Sequence, residues 1–229
     1  TMTDTTQTPE PIWQDAISLC RDLQSGVTTA VAIMENVYAR INALNPKFNA
    51  IVNLLDYDQA MALARQADAV SVADRGILHG LPMALKDAVA MQGFPTTWGF
   101  KPFASRIETT DDGLATRLRE AGAIFIGHTN MPEFGFGSST FNSLFGTTLN
   151  PYDTSKTAGG SCGGAAVALA TQMLPLADGS DLGGSLRNPA SFCNVVGFRP
   201  SIGRMPFNKN FAWYGRMVTT GPMAKTVKD

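Results

Sequence analysis

Three short segments of the sequence carry residue types that could do chemistry together, and the first contains a lysine. Lys86 and Asp87 follow the apolar run at residues 80–85, which is typical of a buried strand. A lysine that is stripped of water in such a strand can serve as a general base. The plain alternative is a surface ion pair with Asp87, because lysine is rarely fully buried. Since successive strand residues point to opposite faces, the two side chains should separate.

The second segment is a glycine-rich stretch at residues 158–166, with Ser161 near its centre. It matches the pattern G-x-S-x-G, which in a nucleophile elbow requires an acid and then a histidine further along the chain. His79 and His128 both precede Ser161, so that arrangement fails within this chain. Ser161 should lie at a helix N-terminus, where N–H groups favour anions. Alternatively, the stretch is only a tight entry into a closely packed helix.

The third segment places two glycines directly before Ser185. Gly183 and Gly184 allow the backbone to turn sharply and to direct several N–H groups at one point, as an oxyanion hole requires. The alternative is an ordinary strand-to-helix turn that is braced by an ion pair between Asp181 and Arg187. Each segment alone is moderate support for a catalytic site, and the three together are much stronger.

Together these segments resemble the amidase signature family of serine hydrolases. Residues 159–166 resemble the family's glycine- and serine-rich signature, and residues 181–190 resemble its D-x-G-G-S-x-R-x-P-A element. Residues 80–87 resemble its lysine-bearing strand, and the resemblance extends over about residues 28–229. It implies an α/β fold, namely a three-layer α/β/α amidase-signature fold with a mixed central sheet. Family members are roughly twice as long, so the chain is expected to hold the N-terminal half of that fold.

The resemblance also implies a Ser-Ser-Lys triad and an amidase that hydrolyses a carboxylic amide or related C–N bond. Ser185 would be the nucleophile that forms the acyl-enzyme, and Lys86 the base. Ser161 would relay protons between them, next to a cis peptide bond from Gly160. The implied oxyanion hole consists of the N–H groups of Leu182, Gly183, Gly184 and Ser185, and the implied substrate-binding residues are Gly135, Phe136 and Ser161. No metal or organic cofactor is implied.

One residue departs from the family pattern. Cys162 stands where the family usually has a second serine, and a thiol is a weaker hydrogen-bond partner than a hydroxyl. At a helix N-terminus the thiol is expected to be reactive toward bulky reagents. The competing interpretation is a small, buried and inert thiol that serves packing.

The substrate is left open by the sequence. Phenylalanines in the loop that resembles the family's substrate-facing segment hint at an apolar or aryl acyl group, or else belong to the core: Phe134, Phe136, Phe141 and Phe145. The expected partner is a small-molecule amide, and a homodimer is also an option. Two alternatives remain: the A subunit of a glutamine-dependent tRNA amidotransferase, with partner subunits, and a catalytically silent binding member of the fold.

The composition excludes some classes of protein. The formal net charge of -1 and the pI near 6.1 argue against a nucleic-acid binder, which would carry a basic stripe. No apolar run is long enough for a transmembrane helix, and the polar residues 1–10 do not resemble a secretory signal. Three cysteines without C-x-x-C spacing favour a reducing, cytoplasmic location.

These candidate residues must be positioned by alternating helices and strands. Helices are predicted at residues 12–24, 30–45 and 57–69, forming an N-terminal cover over about 12–70, with Gly26 and Asn45-Pro46 as stops. A catalytic core over about 75–229 follows, and the whole of residues 1–229 is taken as one amidase signature domain. Within and before the core we expect strands at 50–55, 81–91, 123–127 and 174–178, helices at 112–121 and 162–172, and a loop at 133–160. Asn188 should cap a last helix that begins at Pro189.

Overall fold

Three helices lead the chain in the computed structural model, which describes residues 8–205 and 217–229. They are α1 (Ala16–Ser25), α2 (Ala30–Phe48) and α3 (Tyr57–Asp68). Asp15 caps α1 by accepting a hydrogen bond from Ser18 N, and Gly26 ends it in the left-handed conformation with φ 79°. Thr29 caps α2. The predicted start of the first helix at residue 12 is wrong, because Asp15 is the cap and α1 begins at Ala16. The other predicted starts and stops of these helices are confirmed to within one residue, with one exception.

The exception is the end of α2. Asn45 and Pro46 do not end the helix, which continues through Pro46 to Phe48. The Asn45 side chain instead accepts hydrogen bonds from Ala50 N and Ile51 N, both at 2.9 Å. It thereby ties the helix end to the following strand. These bonds offset the cost of a proline in the last turn, where one intrahelical bond is lost.

A mixed three-stranded sheet carries the lysine. It consists of β1 (Ile51–Val52), β2 (Pro82–Lys86) and β3 (Ile124–Thr129), and α4 (Gly113–Glu120) connects β2 to β3. The spatial order is β1-β3-β2, with β1 antiparallel and β2 parallel to β3. Every residue of β2 and β3 is buried, as expected for strands covered on both faces. Lys86 is the last residue of β2 and lies in register with Thr129.

The region predicted as a long loop at residues 133–160 contains short regular elements. A single 3₁₀ turn spans Glu133–Gly135, and a hairpin pairs β4 (Phe141–Asn142) with β5 (Gly146–Thr147). The Asn142 side chain accepts hydrogen bonds from Leu144 N at 3.0 Å and Phe145 N at 2.7 Å, which closes the hairpin turn. Turns made by side-chain-to-backbone bonds of this kind have no apolar periodicity to reveal them.

A small-residue helix, α5 (Gly163–Ala170), packs into the centre of the molecule, and residues 163–169 are buried. A Cβ added at Gly164 would lie 2.3 Å from Asn130 N and 2.6 Å from Ala50 O. Only glycine therefore permits this approach between the helix and the backbone that flanks β1 and β3. The close approach brings the N-terminus of α5 to the end of β2.

A second sheet completes the described fold. β6 (Leu176–Asp181) and β7 (Val196–Gly197) flank the antiparallel β8 (Thr219–Ala224), with α6 (Arg187–Phe192) between β6 and β7 in the chain. The helix begins at Arg187, so the prediction that Asn188 caps it before Pro189 is wrong. β6 lies beside β2, where Lys86 N donates to the Asp178 carboxylate at 2.8 Å. The α/β class with a mixed sheet is confirmed.

Candidate active site

The Lys86 head group is enclosed by three side chains. The residue is 1% exposed, and its Nζ lies 2.6 Å from Ser161 Oγ, 2.9 Å from Ser180 Oγ and 3.1 Å from Cys162 Sγ. Ser161 and Cys162 precede α5, whereas Ser180 comes from β6. Three hydrogen-bonding partners match the three hydrogen-bonding positions of a lysine head group. Burial in a strand end and a fixed geometry are the conditions under which a lysine can exchange a proton with a neighbouring hydroxyl.

The glycine-rich loop that carries Ser161 is held by a threonine. Thr140 Oγ1 donates to Gly159 O at 2.9 Å and accepts from Gly163 N at 3.0 Å, so one hydroxyl spans the loop on both sides of Ser161. The Gly160–Ser161 peptide bond is cis, as the resemblance implied. Ser161 itself is 2% exposed. The sequence therefore places a buried hydroxyl directly against Lys86.

Ser185 lies beside this loop. Its carbonyl oxygen accepts a hydrogen bond from Cys162 N at 3.3 Å, which brings the third predicted residue next to the other two. The Ser185 side chain is half-buried, unlike that of Ser161. Among residues 8–205 and 217–229, no hydrogen bond joins Ser185 Oγ to Ser161 Oγ. Ser185 is thus the most exposed of the three predicted triad residues.

The turn before Ser185 is organised by Asp181. Its carboxylate accepts hydrogen bonds from Gly184 N at 2.8 Å, Arg187 Nε at 2.9 Å and Arg199 Nη1 at 2.9 Å. Burial opposes ionisation of Asp181, but the hydrogen bonds from Arg187 and Gly184 and the two positive charges outweigh it and lower its pKa to about 2. The predicted pairing of Asp181 with Arg187 is confirmed. Arg199 is an additional partner.

This arrangement leaves fewer N–H groups available for the expected oxyanion hole. The Gly184 N–H is already committed to Asp181, so it does not point freely into a site as the resemblance implied. Gly184 has φ 122°, and a Cβ there would lie 2.7 Å from the Asn188 side chain. Glycine is therefore required at this position for the turn itself. Leu182 and Gly183, which precede it, are exposed.

Two of the predicted substrate-binding residues lie near the third, Ser161: Gly135 ends the 3₁₀ turn and Phe136 directly follows it. A Cβ built on Gly135 would be 3.8 Å from Ser161 Oγ, so the turn passes close to the hydroxyl. Phe136 is 70% exposed and Phe134 is 39% exposed. Phe134 also packs on Phe100, with ring centroids 4.9 Å apart. The interpretation of Phe134, Phe136 and Phe141 as core residues is therefore wrong, because all three are exposed.

Asp87 directly follows β2, and its side chain lies on the opposite side of the strand from that of Lys86. Its carboxylate accepts hydrogen bonds from Thr97 N at 2.9 Å, from Thr97 Oγ1 and from Gly99 N at 3.2 Å. Burial raises the pKa of the Asp87 carboxyl to about 6, against the opposing effect of these donors. The carboxylate thus holds the loop at residues 97–99, and Trp98 O in turn accepts a hydrogen bond from Phe134 N at 2.8 Å.

Cys162 is fully buried, with 0% exposure. Besides its contact with Lys86, its Sγ lies 3.3 Å from both Ser180 O and Ser180 N. The sulfur therefore has polar partners on β6 and does not project into solvent. This environment agrees with the interpretation of Cys162 as an enclosed thiol and not with ready access for bulky reagents.

Two residues at the lysine were not found from the sequence. Asp178 and Ser180 lie two positions apart on β6, and both contact Lys86, one at its backbone and the other at its head group. Residues two positions apart on a strand share one face, so this pair of polar residues was the feature of the sequence that could have revealed them. It was hidden because the run 176–181 also contains alanine and glycine and has no regular apolar alternation.

The described residues contain no group of three or more histidine, cysteine, aspartate or glutamate side chains that could hold a metal ion. His128 is buried and packs edge-on against Phe94, with its Nε2 3.1 Å from Val89 O, and burial lowers its pKa to about 4. His79 is also buried. In the same parts of the chain, none of the helices combines the length and the apolar character needed to cross a membrane.

Comparisons with known proteins converge on one family. A family model described as Amidase matches residues 32–229. Over 211 residues, the chain is 41% identical to the A subunit of the glutamyl-tRNA(Gln) amidotransferase from Trichodesmium erythraeum, covering 91% of this chain and 43% of that protein. It is 40% identical over 221 residues to an acylamidase of Rhodococcus erythropolis, covering 95% of this chain and 46% of that protein.

A solved structure gives the same result. The fold superposes on a bacterial aryl acylamidase of the amidase signature family with a TM-score of 0.85 and 32% sequence identity, over 94% of this chain and 46% of that one. The chain thus spans less than half the length of the relatives it matches.

Proposed function

Because this chain belongs to the amidase family, we propose that it carries the catalytic residues of an enzyme that hydrolyses a carboxylic amide or a related C–N bond. The reaction passes through an acyl-enzyme on Ser185. The observation that carries this proposal is the contact of 2.6 Å between Lys86 Nζ and Ser161 Oγ, both buried, with Ser185 next to them through the Cys162 N to Ser185 O bond.

The proposed steps follow from these positions. Neutral Lys86 takes a proton from Ser161, which takes one from Ser185 as its oxygen attacks the amide carbon. The relay then runs in reverse and delivers the proton to the leaving amine, so that the C–N bond breaks. Water hydrolyses the acyl-enzyme by the same route. General acid–base assistance of this kind contributes about 10²–10⁴ in rate.

The negative charge on the carbonyl oxygen needs N–H donors. With Gly184 N–H bonded to Asp181, the candidates in the turn are the N–H groups of Leu182, Gly183 and Ser185. Removing one such donor typically costs about 3 kcal/mol in the activation barrier. Asp181 acts indirectly, because it fixes the turn from which these donors project.

The substrate is proposed to be a small-molecule amide with an apolar or aryl acyl group. Gly135 lies near Ser161 Oγ, and the adjacent Phe136 is exposed and available to a ligand. Exposed aromatic rings next to a catalytic hydroxyl favour contact with an apolar group. The similarity to an acylamidase agrees with this substrate class.

A second candidate is the A subunit of a glutamine-dependent tRNA amidotransferase. It is favoured by the 41% identity to a protein of that kind, which is as high as the 40% identity to the acylamidase. In that role the same three residues would release ammonia from glutamine, and partner subunits would be required. A glutaminase assay with and without such partners separates the two candidates, since the acylamidase function predicts turnover of an aryl acylamide by the unpartnered protein.

Covalent labelling tests the proposal directly. A fluorophosphonate probe should label the protein, and peptide mass spectrometry should place the adduct on Ser185. Ser185→Ala should abolish labelling and turnover, whereas the matched control Ser191→Ala changes an exposed serine on α6 and should retain both. An adduct on Cys162, or normal turnover by Ser185→Ala, would overturn the assignment.

A further inference from the structure

A buried carboxylate accepts a hydrogen bond from the backbone of the lysine. Asp178 on β6 is 5% exposed, and its Oδ1 accepts the backbone N–H of Lys86 at 2.8 Å. Its other oxygen, Oδ2, has no hydrogen-bond partner within the part of the chain that the structure describes. A buried carboxylate that lacks a donor on one oxygen is costly, and such groups are retained where they have a role.

Few charged groups surround this position. The head-group partners of Lys86 are uncharged when protonated: Ser161, Cys162 and Ser180. Asp178 interacts electrostatically with Lys86, and among the described residues the other charge that acts on it is that of Asp112, the N-cap of α4. Asp87, although next to Lys86 in sequence, is turned toward the loop at residues 97–99. Asp178 is therefore the carboxylate that acts on the lysine.

We propose that Asp178 is a positioning residue for Lys86, which fixes the strand end through the Lys86 N–H and whose buried negative charge sets the pH at which the lysine becomes a neutral base. This inference rests on the proposed role of Lys86 in amide hydrolysis. It assigns a task to a residue that, within residues 8–205 and 217–229, forms no hydrogen bond with the predicted nucleophile or the relay serine.

The electrostatic part of the proposal follows because the interaction between Asp178 and Lys86 affects the protonation of both groups. Burial raises the pKa of Asp178 to about 6, and the hydrogen bond and charge of Lys86 oppose that rise. If the lysine stabilises the carboxylate, the carboxylate stabilises the ammonium form of the lysine by the same free energy. Above about pH 6 Asp178 is mostly ionised, so the charge is present in the range where a lysine base would operate. An opposite charge at close range typically shifts a titration by about one unit or more.

The test is the pH dependence of fluorophosphonate labelling in the full chain. Asp178→Asn keeps an oxygen to accept the Lys86 N–H and removes the charge. The midpoint of its labelling rate against pH should fall by about one pH unit relative to the wild type. A labelling rate that is lower at every pH but keeps an unchanged midpoint would indicate a merely structural role and overturn the proposal, as would a midpoint that moves upward.

The matched control is Asp87→Asn. It makes the same chemical change in another buried carboxyl of raised pKa, one residue from Lys86 but on the opposite face of the strand. Its midpoint should stay within about 0.3 pH units of the wild type, well below the shift expected for a close charge. A shift as large as that of Asp178→Asn would show that any nearby charge suffices, and would overturn the assignment to Asp178.

A reciprocal measurement covers the case in which Asp178→Asn does not fold. In Lys86→Ala, the carboxyl band of Asp178 in infrared difference spectra should titrate at higher pH than in the wild type, and an unchanged titration would sink the inference. The proposed function fails separately, if the wild type carries no adduct on Ser185. A wild type labelled on Ser185 with no midpoint shift in Asp178→Asn refutes only the role of Asp178.

Discussion

Lys86 and Asp87 are consecutive residues whose side chains serve opposite faces of one strand end. Lys86 reaches Ser161, Ser180 and Cys162, whereas Asp87 reaches the loop that begins at Thr97. That loop also accepts a hydrogen bond from Phe134 N, in the turn beside Ser161. A single dipeptide therefore positions both the proposed base and the turn that passes close to Ser161. A shift of β2 by one residue would exchange the two faces and abolish both arrangements.

Replacing the lysine should remove most of the activity. Lys86→Ala is expected to reduce kcat/KM by about 10²–10⁴, the usual contribution of a general base. Lys86→Arg should not restore it, because guanidinium remains protonated and cannot accept a proton. Steady-state hydrolysis of an aryl acylamide measures both variants, and circular dichroism checks that they are folded. Activity of Lys86→Arg near that of the wild type would contradict a lysine base.

The buried Asp87 carboxyl should make stability depend on pH. Its pKa is raised from the ordinary 3.8 to about 6, so the folded protein holds this proton more tightly than the unfolded chain. The resulting stabilisation is complete below about pH 4 and is lost as the pH rises through about 6. Between pH 5 and pH 8, the wild type should lose about 1 kcal/mol of unfolding free energy relative to Asp87→Asn. Urea denaturation at both pH values measures the difference.

Other titrating groups do not obscure that comparison. His128 has a lowered pKa of about 4, so it favours the folded state at higher pH and acts in the opposite direction. Since His128 and Asp178 are present in both proteins, their effects cancel in the difference. A wild type and an Asp87→Asn variant with parallel pH dependences would show that Asp87 does not carry the raised pKa.

Cys162 should react slowly with bulky thiol reagents. It is fully buried, whereas Cys20 is partly exposed and provides an internal control within the same molecule. Peptide mass spectrometry after timed exposure to a bulky disulfide reagent should show modification of Cys20 first, and of Cys162 only on the timescale of unfolding. Rapid modification of Cys162 that substrate prevents would instead favour a reactive thiol at the site.

Substitution of Cys162 tests its contact with the lysine. Cys162→Ser should remain active, because a hydroxyl is a stronger hydrogen-bond partner for Lys86 than a thiol. Cys162→Ala removes the partner and should lower kcat more than it raises KM. Equal activity of the alanine and serine variants would show that Ser161 and Ser180 alone are sufficient to hold the lysine.

The Asp181 carboxylate should be important for both stability and turnover. Asp181→Ala leaves the Gly184 N–H without its acceptor and leaves Arg199 with backbone oxygens but no carboxylate partner, and it is expected to lower the unfolding free energy by about 3 kcal/mol. The matched control is Arg187→Ala, since the Arg187 side chain is 56% exposed and solvent screening should make its loss much less costly than that of the carboxylate. Urea unfolding of both variants provides the comparison, and equal losses would refute a central role for the carboxylate.

Phe136 should affect substrate binding more than chemistry. Phe136→Ala is expected to raise KM for aryl acylamides by about tenfold, which corresponds to the loss of about 1.4 kcal/mol of apolar contact. Tyr152→Ala removes an aromatic ring of similar exposure from another part of the surface and should leave KM unchanged. An unaltered KM in Phe136→Ala would remove this ring from the proposed acyl site.

The sequence predicted those parts of the fold that depend on local chemistry. Gly26 marks a helix end because its backbone preference is local, and the lysine strand is recognisable from its apolar flanks. The end of α2 was mispredicted because Asn45 forms its bonds with residues of the next strand. Such tertiary contacts override the usual effect of a proline and cannot be read from a local window.

The candidate site was predictable in its residue types but not in its contacts. Lys86 and Ser161 were identified from motifs, yet the approach of β6 to β2, which brings Asp178 and Ser180 to the lysine, is a long-range relationship. Likewise, the motif suggested that the Gly184 N–H would face a substrate. In the structure the buried Asp181 carboxylate takes that donor, because its own charge must be satisfied.

The glycine at position 164 restricts how this protein can be changed. Since a methyl group there would collide with the Asn130 and Ala50 backbone, α5 has no room to accept larger side chains on that face. Efforts to widen substrate scope by altering α5 should therefore yield misfolded protein. The turn at residues 133–137 is the better place for a mutant library. Its aromatic side chains, Phe134 and Phe136, are exposed, so a larger side chain there would extend into solvent and would not collide with backbone atoms.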